Sequence, residues 1–248
     1  MTIETAAPRS YEIEGRTVTM PLVVARADIG LATYLVNASK ARSLLPGPEL
    51  DIVELLPGRA VLTISCVDYI ENDLGQYNEI SLTFFVRERG QSPSVRYVGS
   101  LADLVRGQLP TYIHRLPVTT TLSREAGCQI WGFPKILHDI RYRTKGDRYQ
   151  CAWDADGKKV FRFSVQKGGK RTMPDTDLTT YSYIDGVLNS TRFVQGVDEM
   201  GVHLGGAKIE LGDHPIAHEL RELGLPKRAL MSMWMGGMHG TFDGPERV

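Results

Sequence analysis

Short runs of β-branched and aromatic residues, broken by polar turns, recur along most of this chain. Residues 18–26 are apolar and β-branched, which predicts a strand. Leu31, Leu35 and Ala38 then recur at helical spacing, which predicts a helix over 29–43 capped by Asp28. The stretch Leu44-Leu45-Pro46-Gly47-Pro48 ends it. Residues 59–69 and 77–87 alternate as strands and are joined through 71–76 like a hairpin. Strands follow at 136–143, 148–153 and 159–167, with Asp154-Ala155-Asp156-Gly157 as the turn between the last two. Another strand is predicted at 202–211. His214-Pro215 opens a helix over 216–223, with Asp213 as candidate cap and Gly224 as stop. A final apolar strand covers 229–235. Strands outnumber helices, and no linker, repeat or low-complexity tract divides the chain. The expectation is one α+β domain over 1–248, predominantly antiparallel β.

Composition narrows the function classes. The chain has 248 residues, 42% of them hydrophobic and 23% charged, enough for a sizeable core. Its 29 basic and 29 acidic side chains cancel, so neither nucleic acid nor an anionic membrane is expected as a partner. No stretch approaches the roughly 18 apolar residues of a membrane span. Residues 1–10 lack the charged-then-apolar pattern of a signal peptide. A soluble cytoplasmic protein is the expectation. Cys66, Cys128 and Cys151 show no metal-ligand spacing and read as small buried hydrophobes. His214 and His218 lack an HExxH arrangement, and Lys167-Gly168-Gly169-Lys170 lacks P-loop spacing, so neither a metal nor a cofactor is expected.

The candidate chemistry centres on Lys135, at the end of the run Ile130-Trp131-Gly132-Phe133-Pro134. An ordinary lysine titrates at about 10.4, and bringing one near 7 takes about 4–5 kcal/mol of bias against the ammonium. Burial beside Trp131, Phe133 and Ile136 supplies such a bias, and a neutral amine attacks carbonyls. Pro134 keeps Phe133 out of the helical region, so the segment enters Lys135 extended. Read alone, the same segment fits a surface lysine after a turn better than a reactive site. Tyr77 and Glu79, two apart on a strand, share a face and form a candidate acid/base pair. Arg16 and Arg26 flank the first strand and are candidates to fork onto a substrate carboxylate. Trp234 and Met235 belong to a methionine-rich apolar cluster suited to lining a pocket.

Three stretches resemble the acetoacetate decarboxylase superfamily. Ile130-Trp131-Gly132-Phe133-Pro134-Lys135 is similar to its reactive-lysine motif. Gly75-Gln76-Tyr77-Asn78-Glu79 resembles the stretch that places an active-site glutamate, and residues 211–215 with 220–225 resemble its late strand-to-helix segment. The resemblance implies a cone-shaped, mostly antiparallel β-barrel with few helices, an apolar pocket and homo-oligomers. It implies Lys135 as the Schiff-base lysine and Glu79 as the active-site glutamate; acetoacetate decarboxylase is itself the usual example of a lysine so activated. Trp131, Phe133, Trp234, Met235, Gln129 and Arg16 would contact a small keto-acid substrate. The chain also departs from the pattern. Ile136 stands where true decarboxylases carry a second lysine, and Gly127-Cys128-Gln129 stands where they carry Gly-Arg-Glu. A further decarboxylase glutamate falls near Thr63 or Ile64. A neighbour at i+1 points to the opposite face of an extended chain, so the change at Ile136 leaves the nucleophile in place. Three readings follow. The chain decarboxylates a β-keto acid; or it condenses an α-keto acid such as pyruvate with an aldehyde and removes water; or it binds a hydrophobic carboxylate without catalysis.

Overall fold

The computed structural model describes residues 9–91 and 96–248. In chain order, a hairpin of β1 (Ser10–Ile13) and β2 (Arg16–Thr19) precedes the long strand β3 (Leu22–Asn37). A short helix α1 (Ala38–Arg42) leads to β4 (Leu50–Ile52), β5 (Glu54–Leu56), β6 (Arg59–Asn72) and β7 (Tyr77–Glu88). Helix α2 (Arg96–Val105), β8 (Thr111–Val118) and helix α3 (Thr121–Trp131) follow. Then come β9 (Lys135–Leu137), β10 (Asp139–Lys145), β11 (Arg148–Ala155) and β12 (Lys158–Gln166). The chain finishes with β13 (Arg171–Ile184), β14 (Val187–Leu204), β15 (Lys208–Leu211), helix α4 (Pro215–Glu222), β16 (Met231–Phe242) and β17 (Glu246–Arg247).

Strands β7-β6-β3-β16-β14-β13-β8 pair in that order, and β8 pairs back onto β7, closing a barrel of seven strands. The pairings are antiparallel except where β8 meets β13 and β9. The first half of β8 lies between β7 and β13; at its second half β9 takes the place of β13. A second sheet, β10-β11-β12-β15, packs outside the barrel against β3, β6 and β7. Tyr149, Cys151, Trp153, Phe161 and Phe163 meet Tyr34, Leu62, Ile64, Ile80 and Phe84 in this outer core. Gly30 lets the layers approach, since a Cβ there would fall 2.7 Å from the Tyr149 ring. No helix among the described residues is long and apolar enough to cross a membrane.

This two-sided burial overturns the helix predicted over 29–43. Residues 29–37 belong to β3; Leu31 lines the barrel interior while Ala32, Tyr34 and Val36 face the outer core. A strand buried on both faces is apolar at every position, so its i and i+4 residues imitate a helical stripe. Only Ala38–Arg42 is helical, capped by Asn37 and not Asp28. The strand predicted at 202–211 breaks at Gly205-Gly206, both at positive φ, and β15 joins the outer sheet. The one predicted at 136–143 divides at His138, so β9 stays with the barrel and β10 leaves it. The α4 cap is His214, whose Nδ1 accepts from the Ile216 amide, and not Asp213. Cys66 and Cys151 are buried, but Cys128 is exposed on α3.

Glu219 of α4 ties this helix to β8. It accepts from Arg115 Nε and Nη2 at 2.9 and 2.6 Å and lies 2.9 Å from His114 Nε2. Burial pushes its carboxyl up, but the bonds and charges of Arg115 and His114 outweigh this and bring it down to about 2. A depressed carboxyl stabilises the fold fully above its unfolded value, about 4.3, and the stabilisation is lost as pH falls toward 2. Glu219→Gln is expected to lower the thermal midpoint at pH 7 by about 2–4 °C and to flatten its fall between pH 4.5 and 2. Melting curves across that range check this; a parallel downward shift at every pH would contradict it.

Candidate active site

Lys135 reaches its place through the end of α3. Thr120 caps the start of that helix by accepting from the Ser123 amide. At the other end Gly132 takes φ 66°, and the amides of Gly132 and Phe133 donate to the carbonyls of Cys128 and Gly127 at 3.1 and 3.0 Å. This paired closure turns the chain sharply and needs a residue tolerant of positive φ. Phe133 and Pro134 then carry the chain into β9, beside Leu116 of β8. The Lys135 side chain folds back over Gly127, where a Cβ would lie 2.6 Å from Cε. Only a residue without a side chain leaves that path open. Ile136 points the other way and is 50% exposed, as the alternation of an extended chain requires.

The amine ends 2.8 Å from Glu79 Oε2, and the two side chains are only 6% and 9% exposed. Glu79 comes from β7, paired with Val67 of β6 on one side and Val118 of β8 on the other. Tyr69 donates from its hydroxyl to Glu79 Oε1 at 3.3 Å, and Tyr142 of the outer sheet donates to the Glu79 carbonyl at 2.5 Å. Tyr77 stacks on Tyr69 with ring centroids 4.5 Å apart. The amine lies over the Tyr77 ring, 5.1 Å from its centre. Burial pushes both phenols far above their ordinary value, and the Glu79 charge adds to this, so both keep their protons.

These groups stand at one end of a cavity of about 300 Å³ inside the barrel. Leu22, Val24, Leu74, Trp131, Phe133 and Phe242 enclose the Lys135 end. Trp131 stacks on Phe133 and is anchored through Nε1 to the Asp243 carbonyl at 2.8 Å. Among the described residues, Lys135 and Glu79 are the only charged side chains in the lining. No cluster of three or more His, Cys, Asp or Glu among the described residues is placed to hold a metal ion.

The cavity gathers most of the residues singled out by sequence. Lys135, Glu79, Tyr77, Trp131, Phe133 and Met235 all line it. Arg16 does not; it is exposed on the β1–β2 hairpin, and Arg26 is exposed on β3 beside Glu71. Gln129 is also exposed and donates to Glu125 at 3.0 Å. It sits on the solvent face of α3, which a sequence read as an extended run into Lys135 does not reveal. Trp234 alternates with Met235 and therefore faces the outer core, against Tyr149. Of the two positions aligned with a further glutamate, Thr63 faces the cavity and Ile64 the outer core. The sequence reading missed Tyr69 and Gly127. The strand register could have found Tyr69, since it pairs directly with Tyr77 across the hairpin. No local signal distinguished Gly127.

Gly127→Ala would push the Lys135 side chain off its path. Misplacement of about 1 Å costs reactivity of about 100-fold. The variant is expected to slow reaction of the Lys135 amine with a carbonyl reagent by that order, with circular dichroism unchanged. Arg16→Ala and Gln129→Ala are expected to leave it within about twofold, as is usual for exposed positions. Mass-spectrometric labelling kinetics check all three.

The family model described as acetoacetate decarboxylase (ADC) matches residues 7–244. Solved structures share the fold at low identity. An acetoacetate decarboxylase from Legionella pneumophila superposes with a TM-score of 0.64 at 16% identity, over 92% of this chain and 87% of that one. The enduracididine biosynthesis enzyme MppR, complexed with pyruvate, gives 0.67 at 16% identity over 98% of both chains. An acetoacetate decarboxylase-like enzyme from Sphingomonas wittichii RW1 gives 0.51 at 15% identity, over 91% of this chain and 93% of that one. No protein of curated function matches. With a family match across almost its whole length and a barrel of the same architecture, this chain belongs to the acetoacetate decarboxylase family.

Proposed function

We propose that this protein is a lysine-dependent lyase that decarboxylates a β-keto acid through an imine on Lys135. The observation that carries this reading is the buried Lys135–Glu79 pair, 2.8 Å apart at the head of an apolar cavity. Glu79 takes a proton from the amine, which then adds to the keto carbon. Glu79 returns that proton to the resulting hydroxyl, and water leaves a protonated imine. The bond to the carboxyl carbon breaks, its electron pair moves toward the imine nitrogen, and carbon dioxide departs. A solvent proton, passed through Glu79 or Tyr77, goes to the enamine carbon. Water then releases the ketone and restores the ammonium. The Tyr77 ring face favours each cationic form of the nitrogen, and Tyr69 holds the carboxylate in position.

The charge balance of the cavity favours decarboxylation over condensation. Pyruvate keeps its carboxylate throughout a condensation, and the described lining residues offer no cation for it besides Lys135 itself. A β-keto acid loses its charge as carbon dioxide. An anion placed near Glu79 is disfavoured in the ground state and relieved as its charge spreads. The aldolase-dehydratase reading rests on the shared fold with MppR, which has been solved with pyruvate and with its condensation product with imidazole 4-carboxaldehyde.

Borohydride reduction in the presence of a β-keto acid is expected to leave a reduced adduct on Lys135, found by mass spectrometry. Lys135→Ala should abolish carbon dioxide release. Glu79→Gln should lower kcat about 10²–10⁴-fold, the usual range for a lost proton-transfer group. Turnover surviving in Lys135→Ala would sink the mechanism, and aldehyde consumption with pyruvate but no carbon dioxide release would select the condensation route.

A further inference from the structure

The cavity does not stop at the reacting groups. On β7 the lining runs through Tyr77, Glu79, Ser81, Thr83 and Phe85, every second residue of one face. Glu79 and Phe85 are thus separated by about 20 Å of strand at 3.4 Å per residue. With barrel strands tilted about 40°, that is about 15 Å of depth. Leu104 and Leu109 line the far end beside Phe85. A four-carbon keto acid would fill only the Lys135 end and leave this length empty.

Among the described residues, the walls of the extension are uncharged. Ile29, Leu31, Ile113 and Leu178 supply apolar surface, and Ser65, Ser81 and Thr83 present hydroxyls from β6 and β7. Ser65 and Ser81 stand directly across the two strands. Among the described residues none of these three hydroxyls has a protein hydrogen-bond partner. An apolar tube edged by free hydroxyls accepts an extended chain without ionised groups and rejects a second charge, which would be desolvated without a counter-ion.

With Lys135 the one cation among the described lining residues, this extension has a mechanistic use. A substrate carboxylate near Glu79, with only Lys135 as counter-ion, binds poorly on its own. Affinity from a remote, non-reacting part of a substrate can hold a reacting group in such unfavourable surroundings, and then shortening the substrate lowers kcat as well as raising KM. We propose that the substrate is a medium- to long-chain 3-oxo acid whose uncharged tail lies in the barrel between Glu79 and Leu109. The proposal rests on the decarboxylase reading for its reacting end and on the cavity alone for its tail.

Unbranched 3-oxo acids of four to twelve carbons, assayed by carbon dioxide release, test the tail. The kcat/KM is expected to rise about fourfold per methylene until the tube is full, with kcat rising as well. A four-carbon acid turned over as fast as a ten-carbon one would overturn the proposal. Thr83→Phe, or Leu109→Trp should the first fail to fold, is expected to shift preference between ten and four carbons at least tenfold toward the short acid; an unchanged ratio would overturn it. Calorimetry of 2-alkanones on Lys135→Ala separates the two readings, because binding a ketone tail needs no amine. Affinity that grows with chain length supports the tail site even if no acid releases carbon dioxide, in which case the decarboxylase reading alone falls. Affinity independent of length overturns the tail site.

Discussion

A buried ammonium and a buried carboxylate 2.8 Å apart are the constraint around which this protein is arranged. Each ion costs several kcal/mol to remove from water, and their attraction offsets this only with good geometry and further hydrogen bonds. The surrounding parts supply both. Tyr69 bonds to the carboxylate, Tyr142 fixes the backbone of the same residue, and the Tyr77 ring lies under the amine. Gly127 clears a path for the lysine stem, and Gly132 turns α3 so that β9 can join β8. The two ions come from segments 56 residues apart, so only closure of the barrel through β7, β8 and β9 brings them together.

Barrel closure depends in turn on strands that are buried twice. The outer faces of β3, β6 and β7 pack on the second sheet, and their inner faces line the cavity. The outer layer therefore contributes more than stability. Tyr142 reaches through it to the Glu79 carbonyl, and α4, locked to β8 by Glu219, braces the strand that sits between the two ionic partners. Glu79 and Lys135 thus stand on paired strands, and the rings of Trp131, Phe133 and Phe242 line the cavity beside them.

Much of the candidate site was legible in the sequence because its signals are local. The i, i+2 spacing of Tyr77 and Glu79 sets their common face, and the aromatic run into Lys135 marks an apolar setting. Ile136 points away, as alternation alone requires. Arg16, Gln129 and Trp234 failed as pocket residues for one shared reason: which face of an element looks inward depends on what it packs against. Gln129 sits on a helix face turned to solvent, Trp234 on the strand face opposite Met235, and Arg16 on the exposed side of the β1–β2 hairpin.

Neighbouring residues alone carry the family motif, the strand-rich architecture and the choice of Lys135 and Glu79 as candidates, since motifs and period-2 patterns are local properties. The remaining features depend on packing between distant segments. That packing turned an apparent helix at 29–43 into a strand, because burial on both sides removes the alternation that separates the two. It set the Glu79 carboxylate, and not apolar surface alone, against the Lys135 amine, and it chose Tyr69 as the phenol on that carboxylate. It also gave the cavity its length and, among the described residues, Lys135 as its one cation. Charge pairing and cavity shape arise between segments far apart in the chain, where no local pattern records them.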